Sequence, residues 1–397
     1  MLPSSEALQT CLHILSQNQI IVIPLNGIYY LACLPGITNE QNLLKITQNA
    51  TPIEYLFANF RKLEQMVKEV PDWSNFLVKE VLPNHLTCIL SSNITVSNFQ
   101  NPDLANPENL ETQNDFRENS LLDNSKIKKT QYLPIYCNQT SHPYTQKMLE
   151  NLETPLIIVK AILADQPPAI TRAMLKDYFG ENIHYFLPPK YMITGVGPTI
   201  IDLTNPSKLT ITEPGILEKK DFMEFISYQI PIEENFKITT SFSLYNQNTP
   251  IILAESYKNK EQNNSVIIGT KEKIREVFGV STLFDYHSKI HKGQVLLNIG
   301  SQTNLENVAR HLAQKIHEAG YFGMSKIVFL NQNWGKGKWG KIISFYLQKY
   351  TQKAEKLEET EIQKLIVPKV QKENLVNKIA KSLQGMKMPS IGKFGNL

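Results

Sequence analysis

Glycine, lysine and hydroxyl side chains recur in this chain at spacings that suit phosphate or carboxylate chemistry. Gly335-Lys-Gly-Lys-Trp-Gly340-Lys341-Ile342 nearly fits the phosphate-cradling loop GxxxxGK[ST], after a strand pattern and before a helix pattern. Ile342 stands where the magnesium-holding hydroxyl belongs, and nothing nearby replaces it, so a turn before a helix is the better reading. A second stretch runs Gly195-Val-Gly-Pro-Thr199-Ile-Ile-Asp202, turns at Asn205-Pro-Ser207, and continues Leu-Thr-Ile-Thr-Glu213-Pro214-Gly215. Glycines at its entry let the backbone approach a ligand or another strand, although a plain core hairpin would look the same. The four cysteines, Cys11, Cys33, Cys88 and Cys137, form no Cys-x-x-Cys pair, so they read as buried thiols rather than disulfides or a metal site. From Asn331 to Leu397, 13 Lys stand against 5 Glu, whereas the whole chain carries only +4. Such a basic end can attract nucleic acid by counterion release, or it can be a solvated face.

The elements that must position these residues follow from length and pattern. A chain of 397 residues is too long for one ordinary core and predicts two domains. No run approaches 18 apolar residues, and the N-terminus lacks a basic region followed by an apolar one. Both features predict a cytoplasmic protein with no membrane span. Helical periodicity marks 6–17, 39–47, 60–67, 73–81, 144–152 and 170–179, and short apolar strands lie between them. That alternation argues an α/β or α+β sheet domain. Residues of about 97–128, rich in Asn, Asp, Glu and Ser, read as a surface insertion, disordered by composition.

In order and spacing these landmarks resemble the YrdC-like threonylcarbamoyl-AMP synthases in their two-domain form. The family's Pro-Thr-Glu/Asp-Thr-x-Tyr-Gly-Leu turn falls on Pro24-Leu-Asn-Gly-Ile-Tyr29-Tyr-Leu31, and its Trp-Pro-Gly-Pro-Leu-Thr strand on Leu82 to Thr87. Its Arg-x-Pro-x-His-Pro helix start falls on Asn138 to Pro143, and its Pro-Leu-x-x-x-Ser-Ala-Asn loop on Pro155 to Ile162. Its Gly-x-Glu-Ser-Thr-Val-Val-Asp-Leu strand falls on Gly195 to Leu203, its Leu-Arg-Pro-Gly on Thr212 to Gly215, and its interdomain linker on Ser243 to Pro250. The resemblance implies a twisted mixed sheet with helices over 1–230, a linker at 231–250, a small Rossmann-like α/β domain over 251–355 and a basic tail from 356.

It also implies condensation of L-threonine, bicarbonate and ATP into threonylcarbamoyl-AMP, with magnesium and release of pyrophosphate, for tRNA modification. On that reading Tyr29, Thr87, Lys160, Thr199 and Tyr245 are the candidate substrate- or nucleotide-binding residues. The polar motifs depart from the pattern. No basic residue stands at 47–50, where Lys-x-Arg is expected; Ser-Ala-Asn becomes Lys160-Ala161-Ile162; Arg before Pro-Gly becomes Glu213; the linker His becomes Leu244. Two readings stay open. One is a divergent synthase with a rebuilt site. The other is a catalytically inactive paralogue that binds protein or RNA, whether tRNA or double-stranded RNA.

Overall fold

The Asn26-Gly27 turn sets the first hairpin. Both residues have positive φ, at 49° and 90°, the backbone that a two-residue hairpin loop requires. It joins β1 (Ile21–Leu25) to β2 (Ile28–Cys33), and every residue of both strands is buried. A Cβ on Gly27 would lie 2.5 Å from the Val196 carbonyl oxygen, so no other residue fits there. The computed structural model describes residues 5–48, 50–82, 85–95, 132–152, 154–164, 166–189, 193–226, 229–236, 251–254, 264–280, 288–291 and 293–351. The insertion of about 97–128, the linker residue Tyr245 and the tail from 356 lie outside the described residues.

Around the hairpin is a ten-stranded mixed sheet. The further strands are β3 (Glu54–Leu56), β4 (Leu86–Thr95), β5 (Tyr132–Asn138), β6 (Leu156–Lys160), β7 (Tyr185–Phe186), β8 (Thr199–Asp202), β9 (Leu209–Glu213) and β10 (Ile232–Glu234), in the order β10-β9-β8-β4-β5-β3-β6-β2-β1-β7. One face packs on α1 (Ser5–Ser16) and α4 (Pro143–Glu150) through Leu15, Met148 and Leu149. The other packs on α2 (Ile37–Ile46) and α5 (Arg172–Phe179) through Leu43, Leu175 and Phe179. The helical pattern at 60–67 gives only α3 (Phe60–Glu64), and α6 (Lys219–Met223) follows β9.

The pattern at 73–81 predicts an α-helix. The structure has a 3₁₀ turn at Asp72–Ser74 and a π turn at Leu77–Val81 instead. Leu77, Val78, Val81 and Leu82 are all buried there, so the apolar face is met with a wider winding than 3.6 residues per turn.

The second sheet is five-stranded, β11-β15-β12-β14-β13, and parallel except at its β13 edge. Its strands are β11 (Ile251–Ala254), β12 (Ser265–Gly269), β13 (Ser288–His291), β14 (Gln294–Asn298) and β15 (Lys326–Leu330). Its helices are α7 (Lys271–Phe278), α8 (Leu305–Gly320) and α9 (Lys338–Thr351). Parallel strands with crossover helices are the Rossmann-like arrangement expected. The core beneath α8 and α9 also takes in Ala50, Ile162 and Val196 of the first sheet's domain, so one apolar layer joins the two.

Candidate functional site

Strand pairing brings a row of polar side chains to one face of the large sheet. Tyr30 pairs with Lys160, Ile158 with Glu54, Glu54 with Tyr136, Thr87 with Ile200, and Ile200 with Glu213. Paired residues share a face, so Tyr30, Lys160, Glu54, Thr87 and Glu213 all leave the sheet on the same side. That side faces α9.

The centre of the site is Glu213. Lys160 Nζ lies 2.9 Å from Glu213 Oε1, and Lys349 Nζ of α9 lies 4.0 Å from Oε2. Lys160 and Lys349 are 4% and 5% exposed, so this is a buried ion cluster rather than a surface bridge. Burial works against the charge on Glu213, but the two ammonium groups hold its carboxyl below the usual carboxylate range. Burial likewise opposes the charge on Lys160, and Glu213 with Glu54 more than restores it. For Lys349 burial dominates, and its ammonium is pushed down.

Glu54 lies deeper, fully buried. Asn138 Nδ2 donates a short hydrogen bond to Glu54 Oε2, and Thr87 Oγ1 donates to Asn138 Oδ1 at 2.7 Å. Burial pushes the Glu54 carboxyl up to about 7 against the pull of Lys160 and of the Asn138 hydrogen bond. The Tyr30 hydroxyl beside it is also buried, and desolvation with the nearby Glu54 and Glu213 charges raises it well above the phenol range.

Helix α9 closes the face. Tyr346 is buried against Tyr30, Lys160 and Glu213, and burial with the Glu213 charge pushes its hydroxyl up to about 12. That hydroxyl is bonded to the Gly197 backbone, and it lies 3.6 Å from where a Cβ on Gly197 would stand. The run that nearly fits a phosphate loop serves this packing. Gly335 has φ +78°, a Cβ on Gly340 would lie 2.2 Å from the Trp334 carbonyl oxygen, and Ile342 is in the core. Lys341 Nζ reaches Glu234 of β10 at 2.8 Å.

Of the candidates from sequence, Thr87 and Lys160 meet in this cluster. Tyr29 does not. Its side chain leaves the opposite face, in the apolar layer with α2 and α5, 5.3 Å from the Phe186 ring. Thr199 also lies apart, its hydroxyl donating to the Leu217 carbonyl and accepting from the Leu217 N–H, both at 2.9 Å. It clasps the turn after β9 to β8. Reasoning from sequence missed Glu54, Asn138, Tyr30, Tyr346 and Lys349. Two signals were present. Glu54 is a lone carboxylate in an apolar strand, and the glycine of the family's first turn falls on Tyr30. The reversed charges at 160 and 213 were each visible, but not that they neutralise each other.

A family model described as Sua5_yciO_yrdC, Telomere recombination, matches residues 133–215. No match was found among curated proteins. Among solved structures, P. abyssi Sua5 complexed with L-threonine is similar at a TM-score of 0.62 and 16% identity, over 87% of this chain and 94% of that one. A variant of P. abyssi Sua5 with two alanine substitutions gives 0.61 and 15%, over 88% and 94%. E. coli YciO gives 0.42 and 18%, over 56% and 95%. The family-model match spans β5 to just past β9, and the fold of the chain is similar to that of P. abyssi Sua5.

Proposed function

We propose that this chain keeps the YrdC-like fold without the family's nucleotidyl transfer and acts as a binding module, with RNA as its partner class. The observation that carries the reading is the closed face. Lys160 and Lys349 are both buried and engaged by Glu213, and Tyr346 of α9 is buried near Lys160 and Glu213. Adenylate synthesis needs cations on the triphosphate as charge develops. Here the buried cations of this face already have a carboxylate between them. Admitting a triphosphate means displacing Tyr346 and breaking a buried ion pair, which costs about 3–5 kcal/mol, or two to four orders of magnitude in affinity. Among the described residues no group of three His, Cys, Asp or Glu could hold a metal. The carboxylates of this face do not suit magnesium either, since Glu213 is held by lysines and Glu54 by Asn138. The +8 balance of 331–397 supports RNA as the partner.

A second reading keeps L-threonine, bicarbonate and magnesium-ATP as substrates of a rebuilt synthase. It is favoured by the likeness to a P. abyssi protein solved with L-threonine. Pyrophosphate release separates the two. Purified full-length protein with ATP, magnesium and bicarbonate should show no threonine-dependent pyrophosphate, and should retard a tRNA-sized RNA at low salt. Threonine-dependent turnover would establish the synthase instead.

A further inference from the structure

Packing explains Gly340 and Ile342 in the run that nearly fits a phosphate loop, but not its lysines. Residues 331–351 carry four of the 13 lysines of the basic C-terminal stretch and none of its five glutamates. Lys349 is buried beside Glu213, and Lys336, Lys338 and Lys341 gather where the loop after β15 enters α9. Lys336 is exposed, as are Gly335 and Gly337, and a Cβ on either glycine would meet nothing within 4 Å, so the loop stands clear of the fold. Lys338 Nζ lies 5.4 Å from the centre of the Trp339 ring, which holds the ammonium in place without neutralising it.

The carboxylates around this loop are already matched. Glu218, Glu234, Lys338 and Lys341 line one shallow cleft. Glu234 pairs with Lys341, Glu218 with Lys220 at 3.0 Å, and Glu306 with Arg310 of α8. Among the described residues neither Lys336 nor Lys338 pairs with a carboxylate. The cations also converge. The His85 N–H donates to Asn26 Oδ1 at 3.1 Å, the Gly195 N–H donates to the Gly27 carbonyl at 3.0 Å, and a Cβ on Gly195 would lie 3.1 Å from the Arg310 carbonyl oxygen. Burial holds the His85 imidazole below the ordinary histidine range, and Lys338 and Arg310, from two different helices, push it the same way.

We propose that this patch, centred on Lys336 and Lys338, is where the chain holds the phosphate backbone of RNA. The inference rests on the reading of the chain as an RNA-binding module and gives that module a place. Unmatched ammonium groups on an exposed loop suit a polyanion, because each phosphate they neutralise releases condensed counterions. Trp339 is taken by Lys338, so the contact is to phosphate and carries no sequence preference. The 14 residues of α9 span about 20 Å, so the lysines beyond Thr351 follow from its other end and are a separate feature.

The test uses full-length protein and a fluorescently labelled tRNA-sized RNA, with anisotropy titrations over a range of salt. Lys336→Gln together with Lys338→Gln removes two phosphate contacts. The slope of log Kd against log salt should fall by about 1.4–1.8, and binding at about 50 mM salt should weaken about hundredfold. Lys147→Gln together with Lys176→Gln takes the same charge from exposed positions on α4 and α5 and should leave the slope unchanged. An unchanged slope in the loop variant, or an equal fall in both variants, would overturn the proposal. Should the loop variant melt below wild type, Lys336→Gln alone must lower the slope by about 0.7–0.9. Wild-type protein that binds no RNA removes the RNA-binding module and this surface with it, whereas wild type and loop variant that bind equally remove the surface alone. Polyglutamate that displaces the label as well as unlabelled RNA does would overturn RNA in favour of an acidic protein segment.

Discussion

Replacing Glu213 by Gln removes the one anion that two buried ammonium groups share. Lys160 and Lys349 would then stand 5% or less exposed with no carboxylate between them. Glu54 is the nearest remaining charge to Lys160, but it is held by Asn138 and carries a raised pKa. Breaking a buried pair by removing one partner costs about 3–5 kcal/mol, because the other charge is left uncompensated. For a domain of roughly 200 residues each kcal/mol moves the melting temperature by about 2–4 °C, so a loss of about 6–20 °C is expected. Circular dichroism melts at pH 7.5 measure it directly. Fluorescence of Trp334, buried beneath α9, reports whether the small domain leaves first. Adding Lys349→Met should recover part of the loss, since it removes one of the two stranded cations. A shift under about 2 °C would refute the premise that the cluster is dry and closed.

Other outcomes follow from the same contacts. Gly340→Ala places a Cβ 2.2 Å from a backbone oxygen and should lower stability by more than about 2 kcal/mol in urea titration. Thr199→Val breaks both hydrogen bonds to Leu217 and should cost about 1–3 kcal/mol, with no effect on RNA retardation. The four thiols are buried, and burial pushes Cys11 up to about 11 and Cys33 up to about 12, so iodoacetamide at pH 8 should label none of them in the native protein and all four in urea. Tyr29→Phe leaves the packing on Phe186 intact and should change neither stability nor binding beyond about 0.5 kcal/mol.

The fold was largely legible because its signals are local. Asn26-Gly27 names its own turn, the runs at 21–25 and 156–159 are apolar from end to end, and Asn304 and Thr270 cap their helices with side-chain acceptors. The π turn at Leu77–Val81 was not, since apolar spacing alone does not separate it from an α-helix. The site was half legible. Lys160 and Thr87 stand at motif positions, and period two puts them on one face. Tyr29 was assigned to the site because it stands in the motif, yet its neighbour Tyr30 is the residue that faces the cluster. The pairing of Lys160 with Glu213, 53 residues apart, and of both with α9, depends on how two domains close, which no local pattern encodes.

The central claim is that the polar face carrying Lys160, Thr87 and Glu213 is closed from within. Calorimetric titration of magnesium-ATP into the full-length protein, with threonine present, tests it most directly. The account predicts no saturable heat up to millimolar ATP from protein that melts cooperatively. Micromolar binding, abolished by Lys160→Ala, would contradict it and restore Lys160 as a triphosphate ligand.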